Sequence, residues 1–266
     1  MDIKEYNVEV AQEKQNHPWE HARFGVVLDI IKSALKKKGN DAVAILDIGC
    51  GDAFFLGKLS THFTNGSFYA VDTALTPELI ASFEDKYRGK NIRFYKSMAE
   101  VDLSGDRIDV VLLLDVIEHM ENDVEFLSTL SSIAGFNSET IVVITVPAYQ
   151  SLFCAHDRWL GHFRRYSLGL LNVHVGHAGF KVFKSGYFFS SLLIPRLLQK
   201  GWEGMGREAV TGIGDWNGGK ATAKVVKTVL ALDYKLSKVL RKMGVSLPGL
   251  SCYCVCKQAQ GKEVCS

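Results

Sequence analysis

The 266-residue sequence has few prolines, five in all, and neither an internal repeat nor a low-complexity stretch, which excludes collagen-like, mucin-like and wholly disordered chains. No charge of one sign dominates. Thirty-one Lys and Arg face 29 Asp and Glu, a formal net charge of +2 that lacks the dense basic footprint of a dedicated nucleic-acid binder. No nucleic-acid partner is therefore expected. No apolar run reaches the roughly 20 residues of a bilayer span. The longest, Tyr187 to Leu198, is broken by Ser190, Ser191, Pro195 and Arg196. The opening MDIKEYNVEV holds no apolar signal core, so secretion is not expected. The six cysteines (Cys50, Cys154, Cys252, Cys254, Cys256 and Cys265) form no disulfide framework for a chain of this size, and a cytoplasmic location is the expectation.

What is present is alternation. Phe24, Val27, Leu28, Ile31 and Leu35 recur at helical spacing before Lys36, Lys37, Lys38 and Gly39 end the run. Apolar strands are then predicted at Ala42 to Ile48, Ser67 to Asp72, Ile92 to Tyr95, Ile108 to Leu114 and Thr140 to Val146, with helices at Pro77 to Tyr87 and Asp123 to Ile133 between them. Apolar strands between helices imply a parallel sheet covered on both faces. Beyond, Ser167 to Ala178 is predicted as a helix, Phe180 to Phe183 as a sixth strand and Leu250 to Cys256 as a last one. Lys220 to Met243 is predicted as a long amphipathic helix with Val225, Val229, Leu232, Leu236, Leu240 and Met243 along one face. Cys252, Cys254 and Cys256 alternate on the last strand, so they share one face and read as core residues rather than zinc ligands.

The strongest motif is LDIGCGDAFFL, Leu46 to Leu56. Gly49 and Gly51 allow a sharp turn and close approach of the backbone to a ligand, and Asp72 ends the next strand about 20 residues later, where a carboxylate accepts hydrogen bonds from a ribose. With YAVD, LLLDVIEHM and IVVITVP, this stretch resembles the class I S-adenosylmethionine-dependent methyltransferases from about Val43 to Val146. The resemblance implies a Rossmann-like, doubly wound, seven-stranded and mostly parallel α/β sheet with the last strand antiparallel. It also implies S-adenosylmethionine as the cofactor, leaving as S-adenosylhomocysteine. Its contacts would come from Asp47, Gly49, Cys50, Gly51, Asp72, Ser97, Met98 and Asp115. KSMA departs from the acid that many members place there to meet adenine. Phe54 stands where a dinucleotide site would prefer a third glycine, against the alternative of an NAD(P)- or flavin-dependent oxidoreductase. A donor-binding protein without transfer activity is the other alternative.

On the acceptor side, the resemblance makes His119 a lining residue or base. Asp115, Glu118 and His119 match the spacing by which some quinone-ring O-methyltransferases hold a divalent metal, but the same run is widespread without one, and no metal is expected. The segment AHDRWLGHFRRYS, Ala155 to Ser167, offers Asp157 or His162 as a base, and Arg164 and Arg165 as a clamp for a carboxylate or phosphate. Tyr149, His156 and Tyr166 complete the expected acceptor lining. The run HD-x4-GH-x-RRY also resembles a bacterial branch linked to glycan or lipid-linked substrates. The expectation is one catalytic domain, 41–266, with inserts at 148–166 and 187–219, behind a helical cap at 1–40. It acts on a small-molecule or glycan- or lipid-linked acceptor, with O-methylation favoured. Peripheral membrane contact through YFFSSLLIPRLL and homodimer formation are both open.

Overall fold

The computed structural model describes residues 18–35, 42–103, 105, 107–204 and 219–259. Seven strands form one sheet in the order β3-β2-β1-β4-β5-β7-β6. They are β1 (Ala44–Ile48), β2 (Ser67–Val71), β3 (Ile92–Tyr95), β4 (Val110–Leu114), β5 (Ile141–Pro147), β6 (Phe180–Phe188) and β7 (Ser251–Gln258). Pairings among the first five are parallel, whereas β7 runs antiparallel to both β5 and β6. The helices are α1 (Pro18–Ala34), α2 (Phe54–Leu59), α3 (Pro77–Lys86), α4 (Asp123–Thr129), α5 (Ala155–Leu160), α6 (Leu168–His177), α7 (Leu193–Gly204) and α8 (Lys220–Lys242).

The apolar strands are continuous because both faces are covered. Ile45, Val110, Leu112 and Val143 point to one side, into a core shared with α1, α2, α3 and α8. Leu46, Val111, Leu113 and Ile144 point to the other, against α4 and α6. The period of two along each strand thus feeds two separate apolar layers. Cys252, Cys254 and Cys256 are fully buried in the second layer, as expected of core cysteines.

Three elements differ from their predictions. Strand β6 continues through Tyr187 and Phe188, because its whole length has β7 as a partner. The aromatic start of the expected 187–219 insert is therefore sheet. Helix α4 stops at Thr129, and the rest of the predicted helix is a 3-10 turn, Leu130–Ser132. In α8 the buried face carries Leu230, Tyr234 and Ser237, while Val225, Val229, Leu232, Leu236 and Met243 face outward. The parts of the expected cap and of the glycine-rich insert at 1–17, 36–41 and 205–218 lie outside the described residues, as does Cys265.

Candidate active site

The carboxyl ends of β1, β4, β5 and β6 each lead into a residue with left-handed backbone: Ala53, Asp115, Tyr149 and Phe189. Four such non-glycine residues on one rim of the sheet are a concentration of backbone strain typical of a site. At the end of β1, Gly49 has φ +75° and a Cβ there would lie 2.7 Å from Val116 Cγ2. The amides of Gly49 and Cys50 both donate to the Val71 carbonyl, and the Gly51 amide donates to Asp72 Oδ2 at 3.0 Å. Asp72 Oδ1 accepts from the Ala74 amide. The strand-terminal acid therefore holds the glycine turn in shape while remaining half-buried at its lip.

Beneath the turn, Asp47 is buried and its Oδ1 has no hydrogen-bond partner among the described residues. Burial pushes its carboxyl up to about 7. An orphaned buried acceptor below a glycine turn is a site made for a cationic or hydrogen-donating group of a ligand. Ser97 and Met98 follow β3, half-buried, with Ser97 Oγ donating to Glu100 Oε1 at 3.0 Å. The Asp115 carboxylate is engaged by Arg23, whose guanidinium lies 2.8 Å from Asp115 Oδ2 and donates to Thr145 Oγ1 at 2.8 Å. Arg23 is buried, with its charge over the Trp19 and Phe55 rings. Sequence reasoning missed this residue. Its signal was a lone arginine on the apolar stripe of α1, one turn before Val26 and Val27.

The acceptor-side segment is organised around Asp157. This carboxylate is fully buried and accepts from Arg165 Nε at 2.8 Å, His162 Nδ1 at 2.9 Å and the Cys154 amide at 2.9 Å, with Arg196 of α7 at 3.5 Å. These partners outweigh burial and hold Asp157 well below the ordinary carboxylate range. His162 in turn packs edge-on against His119, ring centroids 4.6 Å apart. Glu118 lies beside them at 0% exposure, and neither of its carboxylate oxygens has a partner among the described residues. Burial, and then the nearby Asp115 charge, push the Glu118 carboxyl well above its usual range.

One ligand atom from each of Glu118, His119 and His162 falls within a 4.8 Å cluster, a grouping that could hold a metal ion. Asp115 is not part of it, because its carboxylate turns to Arg23.

Two of the residues expected to line the acceptor are buried in the fold. Arg165 is buried between Asp157 and the Ala148 carbonyl, so its guanidinium is not presented as a clamp. Tyr166 is fully buried, its hydroxyl donating to Asp123 Oδ2 at 2.5 Å and lying 3.2 Å from the Ile117 carbonyl. Asp123 also receives Arg164 at 3.1 Å and His174 at 2.7 Å. Arg164 keeps partial exposure and lines a groove of about 940 Å³ with Glu121, Gln150, His174 and His177. Tyr149 is half-buried and stacks on Tyr187 at 5.2 Å, and His156 is half-buried and stacks on Trp159 at 5.7 Å.

A family described as Methyltransferase domain matches residues 19–184, well over half of the chain. The chain belongs to the class I S-adenosylmethionine-dependent methyltransferases. The methyltransferase match begins within α1 and so includes Arg23. Among curated relatives, the ubiquinone biosynthesis O-methyltransferase of Rickettsia felis is 31% identical over 130 residues, covering 44% of this chain and 52% of that protein. The protein of the same name from Rickettsia bellii is 29% identical over 130 residues, covering 44% and 53%. The chain thus spans about half the length of the curated relatives it matches. Coclaurine N-methyltransferase bound to N-methylheliamine and SAH superposes with a TM-score of 0.53 at 15% identity, covering 88% of this chain and 70% of that one. The cyclase SpnF superposes with a TM-score of 0.52 at 14% identity, covering 88% and 80%. These two likenesses show the fold alone. Asp47 with its orphaned oxygen, the Gly49 to Gly51 turn and the Asp72 lip fit S-adenosylmethionine in the methyltransferase crevice.

Proposed function

We propose that this chain transfers a methyl group to a hydroxyl of a small or lipid-linked acceptor, with His162 as general base. The observation that carries the proposal is the buried Asp157–His162 pair, with its 2.9 Å bond, facing His119 and Glu118 at the carboxyl ends of β4 and β5. Open parallel sheets bind ligands at this edge. Relatives named for O-methylation in ubiquinone biosynthesis support oxygen as the accepting atom.

Bound in the glycine turn, S-adenosylmethionine supplies an electrophilic methyl group carried on a positively charged sulfur. Asp47 and Asp72 would hold its amino-acid and ribose portions, and Arg23 the carboxylate end through the position it shares with Asp115. With Asp157 ionised and accepting at Nδ1, the His162 ring holds a proton on Nδ1 and turns Nε2 to the acceptor as the base. The acceptor oxygen loses its proton to His162 Nε2 as it takes the methyl group. The imidazolium that results is stabilised by Asp157, which Arg165 and Arg196 keep charged. Most of the acceleration comes from alignment, to which base catalysis adds roughly 10²–10⁴.

The test uses radiolabelled donor with a dihydroxybenzoate, with and without an alkyl tail, beside an amine of similar shape. His162→Gln should lower kcat about 10²-fold or more while leaving S-adenosylhomocysteine affinity within about threefold. Transfer to the amine alone, or an unchanged kcat in His162→Gln, would sink the assignment. A second reading rests on the closeness of Glu118, His119 and His162. A divalent cation held there would polarise the acceptor oxygen. Loss of transfer on chelation, restored by adding the metal back, would favour that reading.

A further inference from the structure

We infer that α7 and α8 form a docking surface for an anionic lipid bilayer. Helix α8 spans 23 residues, about 35 Å at 1.5 Å per residue. One face is spent on the protein. Leu230, Tyr234 and Ser237 are buried, and Lys238 and Tyr234 bond Asp29 of α1. The outward face is apolar as well. Val225, Val229, Leu232, Leu236, Val239 and Met243 recur every three or four residues and stand 48–72% exposed. A water-facing stripe of that length on a soluble helix implies an occupant.

The charge on α8 selects the occupant. Its sequence holds seven basic residues and one acidic residue, Asp233. Asp233 is occupied by Ser191. Lys224, Lys235 and Lys242, which flank the stripe, are exposed and form no ion pair among the described residues. Such a helix lying against its own copy would bring like charges together. An anionic lipid surface instead takes the stripe into its headgroup boundary and the lysines onto its phosphates. No described helix is long and apolar enough to cross a membrane, so the geometry is that of a helix lying in the interface.

Helix α7 adds a second apolar face. Ile194, Leu197, Leu198 and Trp202 share one side at 57–67% exposure. The opposite side carries Arg196, buried and bonded to Cys154 Sγ and Asp157. The bond from Ser191 to Asp233 ties the start of α7 to the middle of α8. The exposed apolar side of α7 is thus fixed outward by an arginine anchored in the acceptor-side network.

Flotation with vesicles tests the inference on the full chain and needs neither donor nor turnover, so it stands or falls apart from the methyl-transfer reading. Phosphatidylcholine vesicles containing phosphatidylglycerol should carry the protein, and vesicles of phosphatidylcholine alone should carry it at least about fivefold less well. Leu232→Glu with Leu236→Glu should abolish flotation, and Lys224→Gln with Lys235→Gln should weaken it roughly tenfold. Melting curves and S-adenosylhomocysteine binding report whether each variant is folded, and the lysine pair decides alone if the leucine pair is not. Absence of the wild-type protein from anionic vesicles, or equal flotation of the folded variants, would overturn the inference. A dimer in sedimentation that the leucine changes dissociate would assign the face to a second copy and overturn it as well.

Discussion

Asp47 is the residue whose environment makes the sharpest demand. Its carboxyl is pushed by burial to about 7, and its outer oxygen has no partner among the described residues. If the donor's ammonium is that partner, only the ionised carboxylate binds it well. Affinity for S-adenosylhomocysteine should then tighten as pH rises from 6 towards 7, by up to roughly tenfold per unit, and level off above. Asp47→Asn should weaken binding and flatten the profile. Calorimetry across pH 6 to 8 reads both, and a flat wild-type profile would remove Asp47 from the donor site. At this scale the glycine turn was legible in the sequence, because Gly49, Gly51 and Asp72 act through a turn and the strand end beside it. The acceptor side was only half legible. Arg165 and Tyr166 have the composition of binding residues, but a carboxylate eight residues away claims the first and one 43 residues away the second. Nothing in the local sequence reveals such pairings.

At the scale of elements, the strands were legible because burial on both faces leaves unbroken apolar runs, and their bounds moved by a few residues only. The exception is β6, where Lys181, Lys184 and Ser185 interrupt the apolar pattern and the partner β7 comes some 70 residues later. Helix α8 was legible as a helix, yet it has two apolar faces, and periodicity does not say which one meets the core. The central strand β4 is the test of the packing argument. Leu112 is fully buried in the layer shared with α1 and α8. Leu112→Ala should cost about 2–5 kcal/mol in urea unfolding, with an unchanged m-value. A cost below 1 kcal/mol would mean that this layer is loosely packed.

For the whole molecule, the acceptor-side segment doubles as a structural clasp. Asp157 joins α5, the loop bearing His162 and Arg165, and helix α7 through Arg196. Its carboxyl is held down in the folded state, so the unfolded chain takes up the proton first. The stability this confers is present above the unfolded value of about 3.9 and is lost as pH falls below it. Asp157→Asn should be less stable by about 3–5 kcal/mol at pH 7, because two buried arginines lose their counter-charge. The gap should narrow as the wild type is taken below pH 4. Parallel denaturation curves for the two proteins from pH 7 to pH 3 would show it, and a constant gap would mean that Asp157 is not the group being titrated.

The position of β7 has a consequence for how the protein is made. It is the last strand among the described residues, yet it lies between β5 and β6, and β6 has no other neighbour in the described sheet. A growing polypeptide that has not yet emitted Ser251 therefore carries two open strand edges, one of them on a long strand with no strand beside it. Such a species is the natural client of a chaperone during synthesis, and closing the gap is the event that turns an aggregation-prone sheet into a finished enzyme.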